Sequence, residues 1–85
     1  MSRLRFVLDR LKVLKSSRRS LVLEMPKPVG FHGWSFETIK VKLHLRRGKV
    51  EVFQWDEKRG SWVKAPPEVV ATLKALPAGT LPLSP

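Results

Sequence analysis

Eighty-five residues suffice for one domain with one core but not for a deep cavity lined by several elements, which argues against an enzyme. Seventeen Lys and Arg against seven Asp and Glu leave a formal charge of +10, and self-repulsion of that size calls for an anionic partner, nucleic acid first. With no cysteine there is no disulfide framework or thiolate metal site, and no apolar run is long enough for a bilayer span or a signal-peptide core, so a cytoplasmic protein is expected.

The charge is clustered. Residues 1–19 hold seven basic side chains and one acid, residues 40–49 five basic and no acid, and residues 65–85 balance. Clustering of this kind marks an electrostatic footprint on one surface, against the plainer reading of a solvated surface. There is no Asn, no Tyr and a single Gln, a shortage of thermolabile amides that fits a thermostable protein or a GC-rich genome.

In chain order, residues 3–15 set Leu4, Val7, Leu8, Leu11 and Leu14 on one helical stripe, with Ser2 as N-cap and arginines along its flanks. A basic amphipathic helix over 1–19 is the expectation, although Leu4, Phe6 and Leu8 also alternate as in a strand. Phe6 and Val13 fall opposite the stripe and need a cover, which makes a homodimer an expectation. SSRRS reads as a polar connector. LVLEM follows as a short strand that Pro26 and Pro28 end by withholding ladder donors. Phe31, His32 and Trp34 then sit in a Gly-Pro loop, where their rings either overhang a binding face or plug the end of the core.

The stretch KVKLHLRRGKVEVFQW carries the most information. Folded as a hairpin about Arg47-Gly48, it gathers Ile39, Val41, Leu43, Leu45, Val50 and Val52 on one face. The other face collects Lys40, Lys42, His44, Arg46, Lys49, Glu51, Phe53 and Trp55. A second turn, Glu57-Lys58-Arg59-Gly60, delivers Ser61 to Lys64. If Asp56 opposes Ser61, then Trp55 opposes Trp62 and Phe53 opposes Lys64, forming an aromatic patch beside lysines. Pro66-Pro67-Glu68 opens a helix over 66–76 whose buried stripe is Val69, Val70, Leu73 and Leu76. The tail over 77–85 is extended, with Leu81 and Leu83 laid along the domain.

A sheet face mixing Lys and Arg with Phe and Trp suits single-stranded DNA or RNA, since cations follow phosphates while bases stack on rings at roughly 1–3 kcal/mol each. The expected contacts are Lys40, Lys42, Arg46, Arg47, Lys49 and Lys64 to phosphate, with Phe53, Trp55 and Trp62 stacking. Sequence readout is expected to be weak, because there is no Asn and Gln54 falls on the core face. The competing reading has one terminal helix covering each sheet face, which makes the rings a second core; unpaired Lys40, Lys42 and Arg46 oppose it.

The order GKV…W…W…PPE…L…L is similar to that of the positive-cofactor-four type of single-strand-binding transcriptional coactivator and its bacterial relatives. The resemblance spans about the last 50 residues and rests on Gly48-Lys49-Val50, Trp55 and the helix from Pro67 to Leu76. It implies antiparallel strands closed by a helix. The hairpin here is shorter, and the basic N-terminal segment has no counterpart.

Chemistry is not expected. His32 and His44 stand twelve residues apart without acid or Cys spacing for a metal, and His44 beside Glu51 reads as a surface pair. Glu37, Glu51, Asp56 and Glu57 are the carboxylates near the sheet and do not form a nuclease cluster. VGFHGW lacks the Lys-Ser/Thr of a phosphate loop. No cofactor is expected. The rival function is a protein-interaction or regulatory module whose basic N-terminal helix binds an acidic partner protein, with a membrane surface the less favoured target. The expectation is thus an α+β single domain, residues 1–85: a basic helix over 1–19, a curved antiparallel sheet of about four strands over 20–64, a helix over 66–76 and a tail.

Overall fold

Short polar turns between alternating apolar runs lead successive strands to pair antiparallel, and the chain follows that rule throughout. The computed structural model describes residues 3–29 and 35–85. Its elements are α1 (Arg3–Arg10), β1 (Lys12–Ser16), β2 (Ser20–Val29), β3 (Ser35–Arg46), β4 (Lys49–Asp56), β5 (Ser61–Lys64) and α2 (Pro67–Lys74). The five strands form one open antiparallel sheet in chain order, giving an α+β fold with β1 and β5 at its edges.

Register follows from the turns. Arg46 pairs with Lys49 across Arg47-Gly48, with φ of 53° and 76°, so both turn residues are left-handed as a two-residue hairpin of type I′ requires. In the second turn Gly60, at φ 63°, donates its N–H to the Asp56 carbonyl at 2.8 Å, while the Asp56 carboxylate accepts from the N–H groups of Lys58 and Arg59. Asp56 consequently opposes Ser61 and Trp55 opposes Trp62, as the spacing predicts.

The core lies on one side of the sheet. Leu21, Leu23 and Met25 of β2, Ile39, Val41 and Leu43 of β3, and Val52 of β4 share its inward face with Val7 of α1 and Val69 and Leu73 of α2. Both helices therefore pack on the same face. Leu81 and Leu83 pack against this core as well, from a tail that turns over residues 77–80, where Thr80 N–H donates to the Pro77 carbonyl at 3.1 Å, rather than running extended.

Three further expectations are corrected. First, the N-terminal segment is not one helix: α1 ends at Arg10 and β1 pairs with β2 through Lys12↔Glu24, Val13↔Leu23, Lys15↔Val22 and Ser16↔Leu21, with a bulge at Leu14. The ladder satisfies backbone groups on the β2 edge that a helix would leave open. SSRRS is then the hairpin turn, held by Ser17 N–H to the Ser20 carbonyl at 2.8 Å and Ser20 N–H to Ser17 Oγ at 3.2 Å. The sheet accordingly has five strands rather than four.

Second, β2 runs through both prolines, pairing Pro26 with Thr38 and Pro28 with Phe36. Residues two apart point their backbone nitrogens to the same side, and β1 stops opposite Glu24. The missing donors thus fall on the free edge, away from β3. Third, α2 ends at Lys74 rather than Leu76, with Ala75 as C-cap. Ser2, Phe31, His32 and Trp34 lie outside the described residues.

Phe6 and Val13 do not share a stripe. The Phe6 ring lies 4.1 Å from that of Phe36, under the Arg10 guanidinium at 3.7 Å, while Val13 is 47% exposed on the edge strand. Phe36 and the buried Pro26 border one cleft with Val7, Met25 and Val69, so α1 grips the far end of the β2–β3 ribbon on the helix-covered side as well as the core.

Urea unfolding checks two consequences. Leu43, fully buried at the sheet centre, should cost about 2–5 kcal/mol as Leu43→Ala. Arg47→Asn should instead stabilise by about 0.5–1 kcal/mol, because Asn tolerates the left-handed conformation better than Arg.

Candidate nucleic-acid interface

With both helices on the inward face, the middle of the outward face is left to side chains alone. Following the register across the strands, it presents Lys12 and Lys15 of β1, Val22 and Glu24 of β2, and Lys40, Lys42, His44 and Arg46 of β3. It continues with Lys49, Glu51, Phe53 and Trp55 of β4, then Trp62 and Lys64 of β5. Cations outnumber carboxylates heavily, and Glu24 stands between Lys12 and Lys40 in the register.

The rings are held by strand geometry. Trp55 and Trp62 face each other across the β4–β5 ladder with centroids 5.3 Å apart and planes at 71°, an edge-to-face contact. The Lys40 ammonium lies 6.0 Å from the Trp55 ring and the Lys42 ammonium 5.8 Å from the Trp62 ring. Separations near 6 Å are the outer limit of a cation–π contact, so each contributes less than the roughly 0.5–1 kcal/mol of a close exposed pair. They are weak enough for a base to displace. Phe53 stands opposite both Lys42 and Lys64, and all three rings are half-buried, supported along their edges while retaining exposed surface.

The structure therefore gathers Lys40, Lys42, Phe53, Trp55, Trp62 and Lys64 into one patch. Arg46 and Lys49 share the face at its other end, and Arg47 lies in the turn beyond them. From Lys40 to Arg46 the strand runs six residues, roughly 20 Å. Lys12 and Lys15 extend the cationic surface onto β1; the helical reading of that segment concealed them. The signal available was the cationic turn Arg18-Arg19 lying between two runs that each contain β-branched residues.

Gln54 faces inward between Val41 and Val63, as its parity requires, and its Oε1 is buried without a hydrogen-bond partner. It cannot read bases from the outward side. His44 stands opposite Glu51 in register as expected, and its Nδ1 is shielded from solvent without a hydrogen-bond partner. Among the described residues no three His, Asp or Glu side chains converge to hold a metal, and no helix is long and apolar enough to cross a membrane. No protein-family model, curated protein or solved structure matches this chain, so no relative lends this face a function.

A double-mutant cycle on Trp55→Ala and Trp62→Ala, followed by urea unfolding, should return a coupling of about 0.5–1.5 kcal/mol. Lys40→Ala and Lys42→Ala should each change stability by less than about 0.5 kcal/mol, as befits cations kept on a solvated face. Larger losses would mean that these lysines serve packing.

Proposed function

We propose that this protein binds single-stranded DNA or RNA without catalysis, tracking phosphates with lysine and arginine and stacking bases on the β4–β5 rings. The observation that carries this reading is the Trp55–Trp62 pair flanked by the Lys40 and Lys42 ammonium groups on a sheet face without a helix over it. A stacked base displaces a weakly held ammonium from the ring, and the freed lysine stays within reach of the adjoining phosphate. Rings without nearby cations would favour an apolar partner; cations without rings would not distinguish single strands from duplex.

Sequence preference is weak on this reading. Among the described residues no Asn or Gln stands on the outward face to read adenine, and the Lys and Arg there serve phosphates as readily as guanine edges. The N-terminal segment has less to offer an acidic protein or a membrane, because α1 is eight residues long and spends Val7 on the core and Phe6 on Phe36. Of the two residues on which a homodimer was expected, Phe6 is taken up by Phe36 and Arg10, while Val13 stays exposed on the β1 edge, where a second copy could still meet it.

The test is anisotropy with labelled single strands across a salt series. About five phosphates engaged on a single strand should give a log–log slope near −3.5. Trp55→Ala should weaken binding by about 1–3 kcal/mol at an unchanged slope. Lys42→Ala should reduce the slope by about 0.7. Affinity unmoved by both variants would refute the assignment.

A further inference from the structure

Two turns of the meander meet at the end of the sheet farthest from the tryptophans. β1 passes to β2 through Ser17, Arg18 and Arg19, β3 passes to β4 through Arg47 and Gly48, and a hydrogen bond of 2.7 Å from Leu45 N–H to the Arg19 carbonyl ties the first turn to β3. Arg18, Arg19, Arg46, Arg47 and Lys49 are all exposed there. The ion pair of the described residues, Arg59 to Asp56, lies at the opposite end of the sheet and neutralises none of the five. Glu51, opposite His44 and two residues along β4 from Lys49, is the carboxylate on that face next to them, one acid beside five cations. Arg47 also occupies a left-handed position, φ 53°, that Asn or Gly fills with less strain.

This end differs chemically from the ring patch. The outward ring nearest to it, Phe53, is four residues along β4 from Lys49, roughly 13 Å away. A cationic ridge without rings offers phosphate a match but no stacking platform, and guanidinium forks bond phosphate oxygens in pairs. Duplex hides its bases but presents a phosphate charge for about every 1.7 Å of axis, so it matches this ridge where it cannot match the rings. We propose that the two-turn ridge holds the end of a duplex while the ring patch holds the single strand leaving it, which makes a single-strand/duplex junction the preferred ligand. The proposal rests on the single-strand reading of the ring patch. The separation of roughly 20 Å between Lys40 and Arg46 is about half a helical turn of duplex, a span that one junction can bridge.

The experiment compares three probes of equal strand chemistry at one fixed salt concentration: a short single strand, a blunt duplex, and a duplex carrying that strand as a tail. Anisotropy gives affinity, and tryptophan emission in a Trp34→Phe background reports stacking on Trp55 and Trp62. The tailed duplex should bind about tenfold or more tightly than either simple probe, because two linked contacts act together. Arg18→Ser/Arg19→Ser should bring it to within about twofold of the single strand, while that strand still quenches the tryptophans. Two results overturn the junction and leave the ring patch standing: a tailed duplex that binds no better than a quenching single strand, or a double variant that weakens both probes equally. A single strand that binds without quenching overturns both readings.

Discussion

β3 runs through the centre of the sheet, and its side chains divide between two environments by simple alternation. Ile39, Val41 and Leu43 point inward and are almost wholly removed from water, whereas Lys40, Lys42, His44 and Arg46 point outward. A slip of one residue in either hairpin would drive lysines into the core and leucines into solvent, at several kcal/mol for each unpaired charge. The register is thus fixed from both sides at once. Because Val7, Val69 and Leu73 carry the apolar faces of both helices to the same inward surface, the outward face has no cover across β3, β4 and β5.

The functional reading follows from that asymmetry rather than from any single residue. The ring pair is a sheet-stabilising contact in its own right, and cross-strand tryptophans need no ligand to exist. What sets this pair apart is the company of lysines whose ammonium groups sit at the limit of contact with the rings and are not drawn into ion pairs. Opposed to them at the other end of the same face is a cluster of arginines with no rings. Aromatic and cationic chemistry are graded along one surface.

The parts legible in the sequence were those governed by period and by loop length. The hairpin about Arg47-Gly48 and the four-residue turn closed by Gly60 set the registers that put Trp55 against Trp62 and Phe53 against Lys64, and each of these pairings is found. The inward position of Gln54 followed from the same parity. The N-terminal segment was less legible. Leu4, Val7, Leu8, Leu11 and Leu14 satisfy a helical stripe, and no Gly or Pro marks the change after Arg10; the decision lies with the β2 edge, which no local pattern records. Pro26 and Pro28 misled for a related reason. Their effect on a strand depends on which side is paired, and that depends on where β1 stops. Lys12, Lys15, Arg18 and Arg19 entered the basic surface only once β1 was in place.

The bare outward face is the claim on which the account stands, and amide and indole NMR spectra recorded during titration with a short single-stranded oligonucleotide test it most directly. The account predicts shifts at the Trp55 and Trp62 indole N–H groups and along β3, β4 and β5 around Lys40 and Lys42, with Val69 and Leu73 of α2 unmoved. Shifts confined to α1 and α2, with both indole signals stationary, would contradict it.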